Sequence, residues 1–281
     1  MPLVTPSPGG GASGCDGARF ADELATARAV YANRGAEATV DLAPAARAWF
    51  RDRVLDAYER AQLLVDCPAA PEHQRDEARA LLAEAAFNGR DLGPSADAAR
   101  ARVERALVET ERCVSHEPTV AACHLWHACI VGARAEGSWN PMQLGLPRRL
   151  LAELRAARAG ASPGTDPSAS KAMRAEATVL MRAPGIAGGD TGAALRLMEE
   201  ASRSPGFSCT VDNRLVYAEA LARSFVPARA LAELRSALAY GLPACGDDRY
   251  ENAVDLAEVA RCAARLEARP DADPGWSDDC E

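Results

Sequence analysis

Apolar positions recur at helical spacing along almost the whole chain. In "RDRVLDAYERAQLL" they place Val54, Ala57, Tyr58, Ala61 and Leu63 on one stripe, and "LAELRSALAY" does the same with Leu231, Leu234 and Leu238. "DEARALLAEAAF" and "ARARVERALVETER" carry the same period, and no segment alternates apolar and polar residues long enough to mark a strand. The pattern predicts eleven helices, over 17–33, 44–64, 71–88, 95–113, 119–136, 146–159, 168–182, 191–203, 211–225, 227–240 and 249–268. Their ends carry chemical signals. Pro44 and Pro227 fall in first turns, Asp190 and Asp212 are placed to cap the next helix, and Gly35, Gly160 and Gly241 follow periodic runs as stops.

Prolines then recur where helices should close: Pro68, Pro118, Pro167, Pro205 and Pro243, at intervals of 50, 49, 38 and 38 residues. Helix pairs ending in proline at a period of about 34 mark tetratricopeptide arrays, and here the period is stretched. Small residues stand twelve positions before Pro118 (Ala106) and Pro205 (Ala193), where two helices of such a pair approach closely. The expected fold is all-α, a solenoid of antiparallel tetratricopeptide-like helix pairs. Its helical domain covers 17–268, between an N-terminal tail (1–16) rich in Pro, Gly and Ser and a C-terminal tail (269–281).

Residues 182–206, "RAPGIAGGDTGAALRLMEEASRSPG", look like a phosphate cradle. A phosphate loop needs a preceding strand and a Lys before Ser or Thr at the helix start. Both are missing, and a helical pattern precedes the glycines. The stretch reads as a turn in which Gly188 and Gly189 reverse the chain and Asp190 caps the next helix.

Charge and composition narrow the function. Acidic residues outnumber basic ones by 40 to 32 in 281 residues, which disfavours nucleic acid as a partner. No apolar run reaches the roughly 20 residues of a membrane span. Lys171 is the only lysine, a bias that fits a G+C-rich coding composition better than a phosphate-binding role.

Nine cysteines are many for a helical chain of this size. "ASGC", ending at Cys15, has the form of a lipoprotein cleavage box without the apolar segment before it, so Cys15 reads either as a lipidation site or as an ordinary tail residue. The other eight suit either an oxidising compartment or buried thiols. Cys123 and Cys129 lie on one helix about 9 Å apart, beyond the ~4.4–6.8 Å that a disulfide spans. Equivalent places in successive repeats pair Cys67 with Cys113 and Cys209 with Cys245, and Cys262 with Cys280 would tie down the tail.

The glycine turn with its helix, "PGIAGGDTGAALRLMEEASRSPG", and the next segment, "TVDNRLVYAEALARS", resemble the T-component of TRAP-type transporters, the TatT family. "HLWHACIVGARAEG" resembles another helix of that family through Trp126, Ala128, Gly132, Ala135 and Glu136, and "YENAVDLAEVARCAARL" resembles its last helix. The resemblance covers 118–268. It implies helix pairs around a pore or cavity, a trimeric homo-oligomer, and a lipoprotein of the periplasm or cell envelope. Such a protein would partner the transporter's solute-binding protein and handle an apolar organic ligand. The alternative is a cytoplasmic tetratricopeptide adaptor that holds peptide segments of a partner.

Other constellations are weaker. Cys113, His116, Cys123 and His127 could close a four-ligand zinc site, but the usual finger spacings are absent and Pro118 divides the set. Cys123 and His127 could be posed as nucleophile and base, with no third group to orient them. No catalytic, cofactor or metal residue is therefore assigned, and the chain reads as a non-enzymatic binding protein. The residues expected to contact a ligand or partner are Trp126 and Tyr217, with Trp139, Met142 and Leu144 from the long connection "AEGSWNPMQLGLP".

Overall fold

The computed structural model describes residues 19–35, 44–92, 95–135, 145–161, 167–204, 206–242 and 249–268. The described residues form an all-α protein of eleven helices without a strand: α1 (Phe20–Ala32), α2 (Pro44–Val65), α3 (Glu72–Asn88), α4 (Ala96–His116), α5 (Ala121–Ala135), α6 (Gly145–Gly160), α7 (Pro167–Arg182), α8 (Thr191–Ala201), α9 (Val211–Arg223), α10 (Pro227–Tyr240) and α11 (Arg249–Ala268). Each lies within three residues of its predicted bounds. No described helix is long and apolar enough to cross a membrane.

The ends show why. Ser95 caps α4 by accepting from the Ala98 amide at 3.2 Å, and Asp190 caps α8 by accepting from Ala193 at 2.8 Å. Helix α4 runs one turn past its predicted end because nothing interrupts it until Glu117, which leaves the helical region ahead of Pro118. Helix α9 stops early in a paired hydrogen-bond motif. The Phe225 amide donates to Ala222 O and the Val226 amide to Leu221 O, both at 2.9 Å, with Phe225 at φ 61 in the place usually held by glycine.

Three local expectations are corrected. Asp212 does not cap α9; it sits in the first turn and turns its carboxylate to Arg174 at 2.9 Å. Pro167 opens α7 instead of closing a helix, while Pro205 and Pro243 lie outside the described residues. Leu63 is 75% exposed, and Leu64 and Val65 are buried in its place, because the face set by Val54, Ala57 and Ala61 returns at positions 64 and 65. By the same phase Ala230, Leu234 and Ala237 form the buried face of α10 and Leu238 is exposed.

The glycine turn is built of internal hydrogen bonds. Gly188 takes φ 102 and donates to Gly185 O, Gly189 donates to Pro184 O at 3.1 Å, and Asp190 donates to Leu180 O at 2.9 Å. These amides are spent within the turn and do not point at an anion. A Cβ on Gly189 would lie 1.8 Å from the Ala183 carbonyl oxygen, so the reversal requires glycine there.

Consecutive helices pack on one another, and so do successive odd-numbered ones: α1 with α3, α3 with α5, α5 with α7, α7 with α9 and α9 with α11. The odd helices thus form an inner row, and their sequences fit that place. On α3 Ala78, Ala80, Leu81, Leu82, Ala83, Ala85 and Ala86 are all buried, and on α9 every residue from Leu215 to Ala222 is buried. A helix covered on all sides needs small residues where neighbours approach, which is why alanine dominates both. Two apolar cores result, one mainly between α1 and α5 and the other between α7 and α11. Helix α6 serves both, with Leu154 in the first and Leu151 in the second.

Helix α11 returns to α2 and the turn before it. Tyr250 stacks on Phe50 of α2 with ring centres 4.2 Å apart, and the Arg34 Nε donates to Glu251 at 2.8 Å. Arg34 is almost completely buried and also donates to Tyr31 O at 3.0 Å. Asn252 fixes the other side of the same turn, accepting from the Val211 amide at 2.8 Å and donating to Cys209 O at 3.0 Å.

Candidate functional site

A cavity of about 370 Å³ opens between the odd-numbered helices. Helix α7 supplies one wall through Lys171, Arg174, Ala175, Thr178 and Val179, a single stripe at i, i+3, i+4, i+7 and i+8. Helix α5 faces it with Leu125, Trp126, Cys129 and Gly132, and Phe87 and Asn88 come from the end of α3. Leu150 and Leu154 of α6 extend the apolar side. Thr210 and Asp212 at the start of α9 and Glu251 and Asp255 of α11 complete the opposite side. One part of the lining is therefore aromatic and aliphatic, the other charged.

The aromatic part is ordered by its neighbours. Trp126 lies 5.9 Å from Phe87, centre to centre, and Lys171 sits 5.5 Å over its ring. Lys171 Nζ also donates to Glu84 at 2.9 Å. At the charged part Arg174 bonds Asp212 at 2.9 Å and donates to Asn213 Oδ1 at 3.3 Å. Burial first, and the adjacent Asp212 carboxylate second, hold the Asp255 carboxyl well above the usual aspartate range; Glu258 and Glu251 push the same way and Arg174 opposes. Cys129 is a free thiol, and burial pushes it up to about 12 against the pull of Arg174 and Lys171. A thiol so disposed is neutral near pH 7 and a poor nucleophile.

Among the described residues, Trp126 is thus the one predicted contact residue placed in the cavity. Tyr217 is elsewhere, in the second core, where its ring meets Phe207 edge-on and its hydroxyl accepts from Arg229 at 2.9 Å. Trp139, Met142, Leu144, Cys15, Cys245 and Cys280 lie outside the described residues.

One cysteine pairing differs from the expected register. Cys113 is bonded to Cys123, not to Cys67, with Cα atoms 5.8 Å apart. The turn at Pro118 folds the end of α4 onto the start of α5, so the flanks of one connection meet before equivalent points of neighbouring pairs can. Cys67, Cys209 and Cys262 are each disulfide-bonded as well. The Cys113–Cys123 bond also takes two thiols from the zinc tetrad and the thiol from the Cys123–His127 pair. His116 and His127 point to different partners, His116 to Asp76 at 2.8 Å and His127 toward Glu153 at 3.6 Å. His124 lies between Glu153 at 2.5 Å and the Pro118 carbonyl at 2.9 Å.

A second charged cluster lies between α3 and α4. Glu109 is fully buried and receives Arg112 at 2.9 Å, Arg105 at 3.1 Å and Arg79 at 3.3 Å. Arg79 also bonds Glu72 at 2.6 Å and Asp76 at 2.5 Å, and Arg75 bonds Glu72. Glu72, Asp76 and His116 present ligand atoms within 4.8 Å of one another, close enough for a divalent ion. Two guanidinium groups already occupy those carboxylates, so a cation would have to displace them.

The fold and the cavity define an all-α protein with a ligand-sized space in its inner helical row. The chain matches no protein family, curated protein or solved structure.

Proposed function

We propose that the protein is a non-enzymatic binding protein, built as a tetratricopeptide-like solenoid, that holds a small organic molecule in the cavity between its odd-numbered helices. The observation that carries this reading is the cavity itself, about 370 Å³ with Trp126 and Phe87 on its wall, in the size range of sites for small ligands. The neutral Cys129 thiol and the scattered histidines argue against chemistry there. The resemblance to TRAP-transporter T-components, with a solute-binding protein as partner and the cell envelope as compartment, fits such a role, and the disulfides suit an oxidising environment. The peptide-adaptor alternative needs an open concave groove, and the contact of α11 with α2 competes with that arrangement.

Native mass spectrometry of the full chain purified from its own host tests the reading. A bound molecule that is lost when Trp126→Ala is introduced is the expected result. Retention of the same adduct by the variant would place the site elsewhere.

A further inference from the structure

We propose that the ligand of this cavity is a small amphipathic cation, an amine carried on an aromatic or branched apolar body. The proposal rests on the cavity being the binding site and adds the chemistry of its occupant. The ligand's apolar body would lie against Trp126 and Phe87, and its ammonium would meet Asp255 across the cavity.

The matching of charges in the lining points to such an occupant. Lys171 is held by Glu84 at 2.9 Å, Arg174 by Asp212 at 2.9 Å, and Glu251 by Arg34 at 2.8 Å. Asp255 stands apart from these pairs. It shares the lining with Asp212 and Glu251 and makes no ion pair among the described residues. Burial, and then the carboxylates of Asp212, Glu258 and Glu251, raise its pKa, and Arg174, which opposes them at Asp255, is already committed to Asp212 and Asn213. Glu251 and Asp255 are one turn apart on α11, so both reach the cavity from the same face. An anionic head group entering here would have to displace Glu84 from Lys171 or Asp212 from Arg174. A neutral ligand would leave the Asp255 carboxyl with no cation to favour its charged form. A cation supplies the missing countercharge. An ammonium beside Asp255 favours its carboxylate form, against the burial and the like charges that raise its pKa.

Three probes with one body and different heads separate the possibilities: tryptamine, tryptophol and indolepropionate, titrated calorimetrically into the full chain near pH 7.5. The expected result is that tryptamine binds at least about tenfold more tightly than either of the others, a difference of about 1.4 kcal/mol. Asp255→Asn, which keeps the shape of the side chain, should abolish that preference while tryptophol binding is retained. Equal binding of tryptamine and tryptophol, or tighter binding of indolepropionate, would overturn the cation and leave the cavity as the binding site. Tryptamine binding unchanged in Asp255→Asn would also overturn it. Failure of all three probes at millimolar concentration would overturn the cavity reading itself.

Discussion

The network between α3 and α4 and the lining of the cavity contain similar side chains, and they differ in how charge is matched. In the network each buried carboxylate has a guanidinium or imidazole partner: Glu109 has three arginines, and Asp76 has Arg79 and His116. In the cavity Asp255 faces three carboxylates and one shared arginine. The first arrangement is complete without anything from outside. The second leaves the Asp255 carboxyl beside open space without a cationic partner of its own among the described residues, and its charged form is disfavoured there. Matching, more than the presence of charge, separates a strut from a site.

The largest expected effect is on the network. Glu109→Ala leaves Arg79 partly unmatched in a buried position and should cost about 3–5 kcal/mol in urea unfolding. A loss below about 1 kcal/mol would mean that Glu109 holds little together, and the contrast with the cavity would fail.

Next in size is the strap between the two regions. Cys113 lies in the last turn of the network helix and Cys123 in the first turn of the cavity helix, with ten positions of sequence separation. The double variant Cys113→Ser, Cys123→Ser should lose about 2–3 kcal/mol, as expected for so short a loop. Comparing its unfolding with that of the oxidised wild type checks this without touching the other disulfides.

Two glycines probe the space directly. A Cβ on Gly132 would meet nothing within 4 Å, whereas one on Gly160 would lie 2.6 Å from the Thr119 carbonyl oxygen. Gly160→Ala should cost about 1–3 kcal/mol through that clash. Gly132→Ala should gain about 0.5–1 kcal/mol through helix propensity. Melting temperatures of equal sign for the two variants would contradict the difference in room.

The smallest effect is a pH dependence. Because the Asp255 carboxyl is raised in the folded chain, the fold keeps a proton that the unfolded chain releases near the usual value of about 3.9. Stability should therefore fall as pH rises from about 4 toward the folded value, and that loss should vanish in Asp255→Asn. The groups facing it, Asp212 on α9, Arg174 on α7 and Glu251 and Glu258 on α11, are unchanged in the variant. Melting curves that stay parallel across the pH range would show that Asp255 does not carry this charge imbalance.

The helices were legible because their signals are local: a period of ~3.6 residues and end residues such as Asp190 and Pro227. Phase was harder. Leu63 and Leu64 are adjacent and equally apolar, and only the packed face distinguishes them. The Cys113–Cys123 bond had a signal that register arguments passed over, two cysteines flanking a proline turn between helices. Trp126 was visible as an aromatic on an apolar helix. Lys171, Arg174, Asp212 and Asp255 come from three separate helices, and nothing local links them. The single lysine was an oddity in the composition, and its place over Trp126 appears only once α5 and α7 are packed.

The contact between Arg34 and Glu251 joins residues 217 positions apart. Open stacks of repeats fold by local steps and can fray from either end. Here the first helices remain incomplete until the last has been synthesised and docked, because Tyr250 belongs to the core of the first half. Long-range closure of this kind raises contact order and slows folding. In return α2 and α11 protect one another, so the described helices should melt as one cooperative unit, and α2 waits longest for its final partner.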